Sequence, residues 1–356
     1  MHHVVILGGG YGGLRVIQRL LAEKDRKDFR ITLVEREPYH SLKTEFYALA
    51  AGTVADNHLR IPFPEDDRLE LVYDLASNIR LEDNIVELGS GKELPYDELI
   101  IGLGCEDKHH GVPGAEENSL SIQSMRRARK SNQIIQKIRH NGRVSIVGGG
   151  LSGVETAAEL RESRPDLEIF LFDRGANILS MFPKKLYSYV TEWFVENDVT
   201  IVNHANITKV ERHMIFNHDE PMEMDAIIWT AGVQPNKVAR ELDVEKDRLG
   251  RLVVTIHHHL PNYENAFVVG DCASSTHAPS AQLAEAQGDQ IAMLLFKKWD
   301  GEPYPEKMPR IKLKGVLGSL GKKHGFGLMG EKSLVGRVPR VLKSGVLWMY
   351  KHHSGS

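Results

Sequence analysis

The sequence predicts an α/β protein that uses one strand–turn–helix plan twice, and three observations predict it. Two glycine-rich turns, Gly8-Gly9-Gly10-Tyr11-Gly12-Gly13 and Gly148-Gly149-Gly150-Leu151-Ser152-Gly153, each follow a short apolar run, Val4-Val5-Ile6-Leu7 and Val144-Ser145-Ile146-Val147. Each turn opens into a segment with helical apolar spacing. In both copies an acidic residue, Glu35 or Asp173, closes the next apolar run about 20 residues further on.

This spacing has a physical reason. In a Gly-x-Gly-x-x-Gly turn the first glycine (Gly8, Gly148) permits the tight turn and the second (Gly10, Gly150) lets backbone approach a pyrophosphate. The third (Gly13, Gly153) lets the helix pack on its strand. Phosphates then meet the unpaired N–H groups at the positive end of the helix, and the acid accepts hydrogen bonds from a ribose. A single such turn is weak evidence; two complete copies define two Rossmann-like dinucleotide-binding units.

Composition agrees. The 356 residues with 41% apolar content suit a folded protein of two or three domains. The net charge of −3 is unevenly placed: residues 306–356 hold eleven Lys or Arg against only Glu306 and Glu331. No nucleic-acid partner is expected. Cys105 and Cys272 are far apart and in no C-x-x-C spacing, which argues against a disulfide framework and for a reducing, cytoplasmic setting. The first residues run directly into a strand and no run of 18 apolar residues occurs, so neither a signal peptide nor an integral membrane protein is expected.

Taken in order, the first unit occupies residues 1–110 and regains chain at 257–310. After Glu35, Pro38 ends the strand, and the crossing that follows brings Lys43 and Thr44 toward whatever the first turn binds; a plain loop into a helix over 45–51 is the other reading. Residues 69–101 read as short strands of an inserted β-meander, ending at Gly102-Leu103-Gly104. Glycine and proline density over 106–115 marks a boundary, and a basic helix is expected over 121–141. The second unit, 111–256, repeats the plan, with its own insertion over 199–229 and a small-residue close at Thr230-Ala231-Gly232. Gly104 and Gly232 let backbone approach a nucleotide without a Cβ. Asp271, in Gly270-Asp271-Cys272-Ala273, stands at the carboxyl end of a buried strand, where it can accept hydrogen bonds from a sugar-like chain or cap a helix. His257-His258-His259 and His352-His353 lack acids or cysteines at ligand spacing, and no metal is expected.

Over 4–321 these motifs, with Tyr39-His40 and Tyr96-Asp97-Glu98-Leu99, fall in the order of a known family. The chain resembles the two-dinucleotide-binding-domain flavoproteins, and most closely the type II NADH dehydrogenases, or NADH:quinone oxidoreductases. The resemblance implies that Gly8, Gly10, Gly12, Gly13, Glu35, Thr44 and Gly104 hold FAD, with Asp271 at its ribityl chain. It implies that Gly148, Gly150, Gly153, Asp173 and Gly232 hold NADH, and that Glu155 lies beside nicotinamide and flavin. Glu155 also reads as an ordinary first-turn acid. Asp173 disfavours NADPH, because a carboxylate repels a 2′-phosphate.

The acceptor side departs from the family. Its Ala-Gln-x-x-x-Gln motif keeps Gln282, the candidate at the quinone site, but has Ala286 where the second glutamine belongs; Gln287 falls about 100° further round the helix. Gly102-Leu103-Gly104 replaces Ala-Thr-Gly. The segment 311–356 stops where relatives develop membrane-lying helices. Residues 335–350 mix Arg337, Arg340 and Lys343 with apolar side chains and suit a membrane interface at the inner face of the cell membrane, a cap on the flavin unit or a homodimer contact, although Pro339 and Gly345 oppose a helix. Three functions therefore stand: an NADH:quinone oxidoreductase, a reductase of a protein acceptor, and a low-turnover flavin protein that senses NADH.

Overall fold

The computed structural model describes residues 1–353; the His353 side chain and residues 354–356, which end the 311–356 segment, lie outside the described residues. The first unit is a six-stranded sheet in the order Leu69–Tyr73, Phe29–Glu35, His2–Leu7, Glu98–Ile101, Tyr263–Val268 and His259–Leu260, all neighbours parallel except the last pair. Central strands of a parallel sheet are covered on both faces, which is why Val4, Val5, Ile6 and Leu7 are all fully buried. Helices Tyr11–Ala22 and Ala281–Trp299 cover one face through Leu14, Ile17, Leu20, Ile291 and Leu295. The other face packs on Val86, Leu88 and Leu94 of a three-stranded antiparallel insertion.

The second unit repeats this. Its parallel sheet runs Val199–Val202, Glu168–Phe172, Arg143–Val147, Ala226–Trp229: third, second, first, fourth strand, as in residues 2–101. Its insertion is the meander Ile207–Glu211, Met214–Asn217, Glu220–Glu223, whose tight turn uses left-handed His218 and Asp219. Cys105–Asp107 and Val233–Pro235 pair as an antiparallel ribbon between the two sheets.

Four expectations are corrected. Leu69–Tyr73 and Val199–Val202 are third strands of the parallel sheets, not parts of the insertions. An edge strand alternates apolar and polar residues just as a meander strand does, so periodicity does not separate them. The basic helix spans only Met125–Ile135: Ser124 Oγ caps it by accepting from the Arg127 N–H, and left-handed Asn141 lies in the turn that follows. Finally, the tail forms a helix in spite of Pro339 and Gly345. Strands Val316–Leu320, His324–Met329 and Lys332–Gly336 form an antiparallel sheet, followed by one helix, Arg337–His353. Pro339 is tolerated because it falls in the first turn, where no intrahelical N–H is needed. Leu347 and Tyr350 pack inward on the core, while Val338, Val341, Leu342, Val346 and Met349 stay exposed along one stripe.

Candidate functional site

The two glycine turns have nearly superimposable demands. Gly8 and Gly148 adopt φ of +97° and +110°, and a Cβ at either would lie 2.5 Å and 2.7 Å from backbone of the neighbouring strand end, at Gly102 and at Thr230-Ala231. At Gly13 and Gly153 a Cβ would sit 2.1 and 1.8 Å from the carbonyl oxygens of Gly8 and Gly148. The protein itself therefore requires glycine at the first and third positions. Gly10 and Gly150 are different: both have ordinary φ, −71° and −75°, and no atom of the protein lies within 4 Å of where a Cβ would be. The fold leaves a cradle at each helix N-terminus, open at the position where a pyrophosphate would approach.

The paired acids close these cradles. Glu35 Oε2 accepts from the Gly9 N–H at 2.7 Å, and Asp173 Oδ2 accepts from the Gly149 N–H at 2.8 Å. Asp173 Oδ1 also accepts from Gly175 N–H at 2.7 Å. Around the first cradle, Thr44 Oγ1 lies 3.0 Å from Tyr11 Oη, and Tyr11 packs on His40 and Tyr350. His40 is buried with Nδ1 2.8 Å from Gly9 O and Nε2 3.0 Å from Tyr350 Oη, so the tail helix reaches the first glycine turn.

Burial pushes His40 down to about 4 from its ordinary 6.5. Between those values the unfolded chain binds a proton that the folded chain refuses, so stability falls as pH drops from 6.5 toward 4, by about 1.4 kcal/mol per unit. Urea melts at pH 7 and pH 5 check this; a slope that His40→Gln leaves unchanged would assign it elsewhere.

Asp271 sits in the turn Gly270–Cys272, where Gly270 has φ +75° and its N–H donates to Gln287 Oε1 at 2.8 Å. Gln287 thus braces the Gly-Asp turn. Asp271 Oδ2 accepts from Cys105 Sγ at 2.9 Å, and Lys43 Nζ donates to the same sulfur at 3.0 Å. Cys272 Sγ donates to Gly104 O at 3.0 Å, so both cysteines reach this corner although they are distant in sequence. Gly104 has φ +68° with open space beside it; Gly232, at φ +124°, faces His110.

Glu155, on the helix after the second turn, is buried where that helix meets Phe46–Ala51 and the tail. Its Oε1 accepts from Ser319 N–H at 2.9 Å, from Ser319 Oγ at 3.1 Å and from Lys343 Nζ. Lys343 also donates to Tyr47 Oη at 2.6 Å and lies 3.4 Å from Glu45 Oε1; Tyr47 donates to Glu45 Oε2 at 3.1 Å. Two buried carboxylates share one ammonium. Burial pushes the Glu155 carboxyl up, with Lys343 pulling against it; burial opposes charge on Lys343 too, but Glu155, Tyr47 and Glu45 raise it well above its ordinary value. Such a cluster can hold and release a proton. Gln282 points elsewhere: its amide brackets the strand entering the tail sheet, donating to Gly315 O at 2.9 Å and accepting from Lys314 N–H at 2.8 Å.

The resemblance singled out Glu155; its partners Glu45, Tyr47, Ser319 and Lys343 were not among the candidates. A carboxylate opening the apolar stretch Phe46-Tyr47-Ala48-Leu49-Ala50-Ala51 was the available signal. Nor did the sequence show that Cys105 bridges Lys43 to Asp271, which no local pattern encodes. The histidine triplet is held by structure: His257 Nε2 lies 2.9 Å from Pro305 O, His258 Nε2 2.6 Å from Gln290 Oε1, and His259 Nδ1 2.9 Å from Leu260 O.

Two open glycine turns, each at the start of a helix that follows a parallel strand, are the arrangement by which a protein holds two dinucleotides. The chain belongs to the pyridine nucleotide-disulphide oxidoreductase family, whose model matches residues 2–288, and it is an enzyme of the NADH dehydrogenase type. It is 58% identical over 355 residues to the NADH dehydrogenase-like protein YutJ of Bacillus subtilis, with 100% of both chains covered. It is 24% identical over 376 residues to the type II NADH:quinone oxidoreductase of Staphylococcus saprophyticus, covering 96% of this chain and 92% of that one. Among solved structures, NDH2 from Plasmodium falciparum in complex with NADH matches with a TM-score of 0.84 at 16% identity, over 99% and 96% of the two chains. The sulfide:quinone oxidoreductase from Aquifex aeolicus matches at 0.82 and 18%, over 100% and 92%. At these identities the structural likeness is one of fold.

Proposed function

We propose that the protein is an FAD-dependent NADH dehydrogenase that passes two electrons to a quinone. The observation that carries the reading is the pair of cradles at Gly10 and Gly150, each at a helix N-terminus with open space where a side chain would stand. In this reading the chain divides into an FAD unit, 1–110 with 257–310, an NADH unit, 111–256, and a tail, 311–356. Gly8, Gly10, Gly12, Gly13, Glu35, Thr44, Gly104 and Asp271 hold FAD; Gly148, Gly150, Gly153, Asp173 and Gly232 hold NADH, with Asp173 disfavouring a 2′-phosphate. Bound there, FAD would supply the ring that accepts hydride from NADH and gives electrons onward.

The protein's part is orientation, exclusion of water and proton supply. The helix N-termini fix both pyrophosphates. The tail helix closes over His40 and Tyr11 and seals Glu155 from solvent. Reducing a quinone consumes two protons, and the buried Glu155–Lys343–Tyr47–Glu45 cluster is a store that can supply them. Gln282, the candidate at the quinone site, is held to Lys314 and Gly315 where the chain enters the tail sheet.

Anaerobic titration of the FAD-loaded protein with NADH, then with a soluble quinone, tests the reading: the flavin band is expected to bleach and recover. Bleaching without recovery would remove quinone as acceptor and leave a protein acceptor or an NADH sensor.

A membrane surface is the proposed place of work. Among the described residues no helix is long and apolar enough to cross a membrane. The stripe Val338, Val341, Leu342, Val346 and Met349, beside Arg337, Arg340 and Lys351, has the form of an interfacial helix. Val341→Glu with Val346→Glu is expected to abolish sedimentation with vesicles containing anionic lipid; unchanged sedimentation would move the contact off this face.

A further inference from the structure

We propose that Lys43 sets how readily the bound flavin is reduced, its ammonium being the fixed cation against which the flavin takes up negative charge. The inference rests on the reading that Asp271 belongs to an FAD site, and it deepens that reading by naming the residue that tunes the cofactor.

Three distant stretches meet here. Lys43 lies in the crossing after the second strand, Cys105 opens the ribbon between the units, and Asp271 stands in the turn after Tyr263–Val268. They form a row: Lys43 Nζ donates to Cys105 Sγ at 3.0 Å, the thiol donates to Asp271 Oδ2 at 2.9 Å, and ammonium and carboxylate lie 3.8 Å apart. Burial pushes the Cys105 thiol up to about 12, so the middle of the row is neutral and protonated. The sulfur then orients the carboxylate without needing the lysine, because the S–H alone satisfies Asp271 Oδ2. The lysine's charge is drawn into a half-buried crevice at a desolvation cost. Asp107, on the same ribbon and paired with Arg127, adds to the field that keeps Lys43 charged.

The chemistry gives that charge a use. A hydride brings two electrons and one proton to an uncharged flavin ring, so reduction adds one net negative charge while NADH leaves as NAD+. A preorganised cation in a crevice of low dielectric stabilises the charged product over the neutral starting form. Thr44, the neighbour that sequence also placed here, carries no charge and turns to Tyr11, so it does not share this role.

The test is the two-electron potential of the FAD-loaded full chain, measured by equilibration with reference dyes, and its affinity for sulfite, which adds to the flavin ring and leaves a negative charge on it. Lys43→Met is expected to make reduction at least tenfold less favourable, about 30 mV lower, and to weaken sulfite binding by a similar factor. Lys43→Arg is expected to restore both. A wild-type potential in Lys43→Met would overturn the proposal. So would equal losses in Met and Arg, which would trace the effect to packing, or loss of FAD from Lys43→Met, which would make Lys43 a residue that holds the cofactor. A wild-type chain that takes up no FAD would instead defeat the underlying reading, and is seen before any variant is made.

Discussion

Gly150→Ala is expected to fold as the wild type does and to lose NADH binding at least 100-fold, about 2.7 kcal/mol. The backbone at Gly150 has φ −75°, which alanine adopts freely, and the added methyl meets no protein atom within 4 Å. The cost to the helix is that of a poorer N-cap, at most about 1 kcal/mol. The methyl nevertheless occupies the space a pyrophosphate needs, beside the N–H groups that should bind it. Gly10→Ala is the matching experiment for FAD, since its surroundings are equally empty. Gly153→Ala is the contrast: its Cβ would meet Gly148 O at 1.8 Å, so the expected result is a chain that fails to fold. Calorimetry for stability and fluorescence titration for NADH separate the two classes. NADH binding at wild-type strength in Gly150→Ala would remove the nucleotide from that cradle.

The second large effect is expected at Lys343. Replacing it by Met leaves Glu155 and Glu45 buried without their shared cation, and breaking a buried pair in this way costs about 3–5 kcal/mol. The loss depends on pH in a definite direction. Burial already raises the Glu155 carboxyl, and without Lys343 it rises further, so in the variant the folded chain binds a proton that the unfolded chain gives up above the usual carboxylate range. Stability of the variant therefore falls as pH rises, and the deficit is expected to be largest near pH 8 and to shrink toward pH 5. Urea melts across that range decide it; a deficit independent of pH would mean that the lysine acts by packing alone. Because the cluster is proposed to supply protons to the quinone, reduction of the flavin by NADH is expected to change less than its reoxidation by quinone, which rapid-mixing absorbance resolves. Glu155→Gln should cost less stability, since Glu45 and Tyr47 still receive Lys343.

The sequence by itself determined the repeated plan, the two cradles, the acids that close them and the family. All of these depend on local rules: a turn that only glycine can make, an apolar run that becomes a buried strand, an acid at a set distance along the chain. It also pointed to Asp271, which stands at the carboxyl end of a strand, and, through the resemblance to the family, to Glu155. It could not tell an edge strand from a meander strand, since both alternate, nor tell that Pro339 lies in a helix's first turn rather than its interior. Only the tertiary structure decided what surrounds the two acids. Lys343 comes to Glu155 from 188 residues away. Cys105 comes to Asp271 across 166. A buried charge is defined by partners from every element packed on it, and the fall of a long chain into sheets, not any spacing along it, is what brings those partners together.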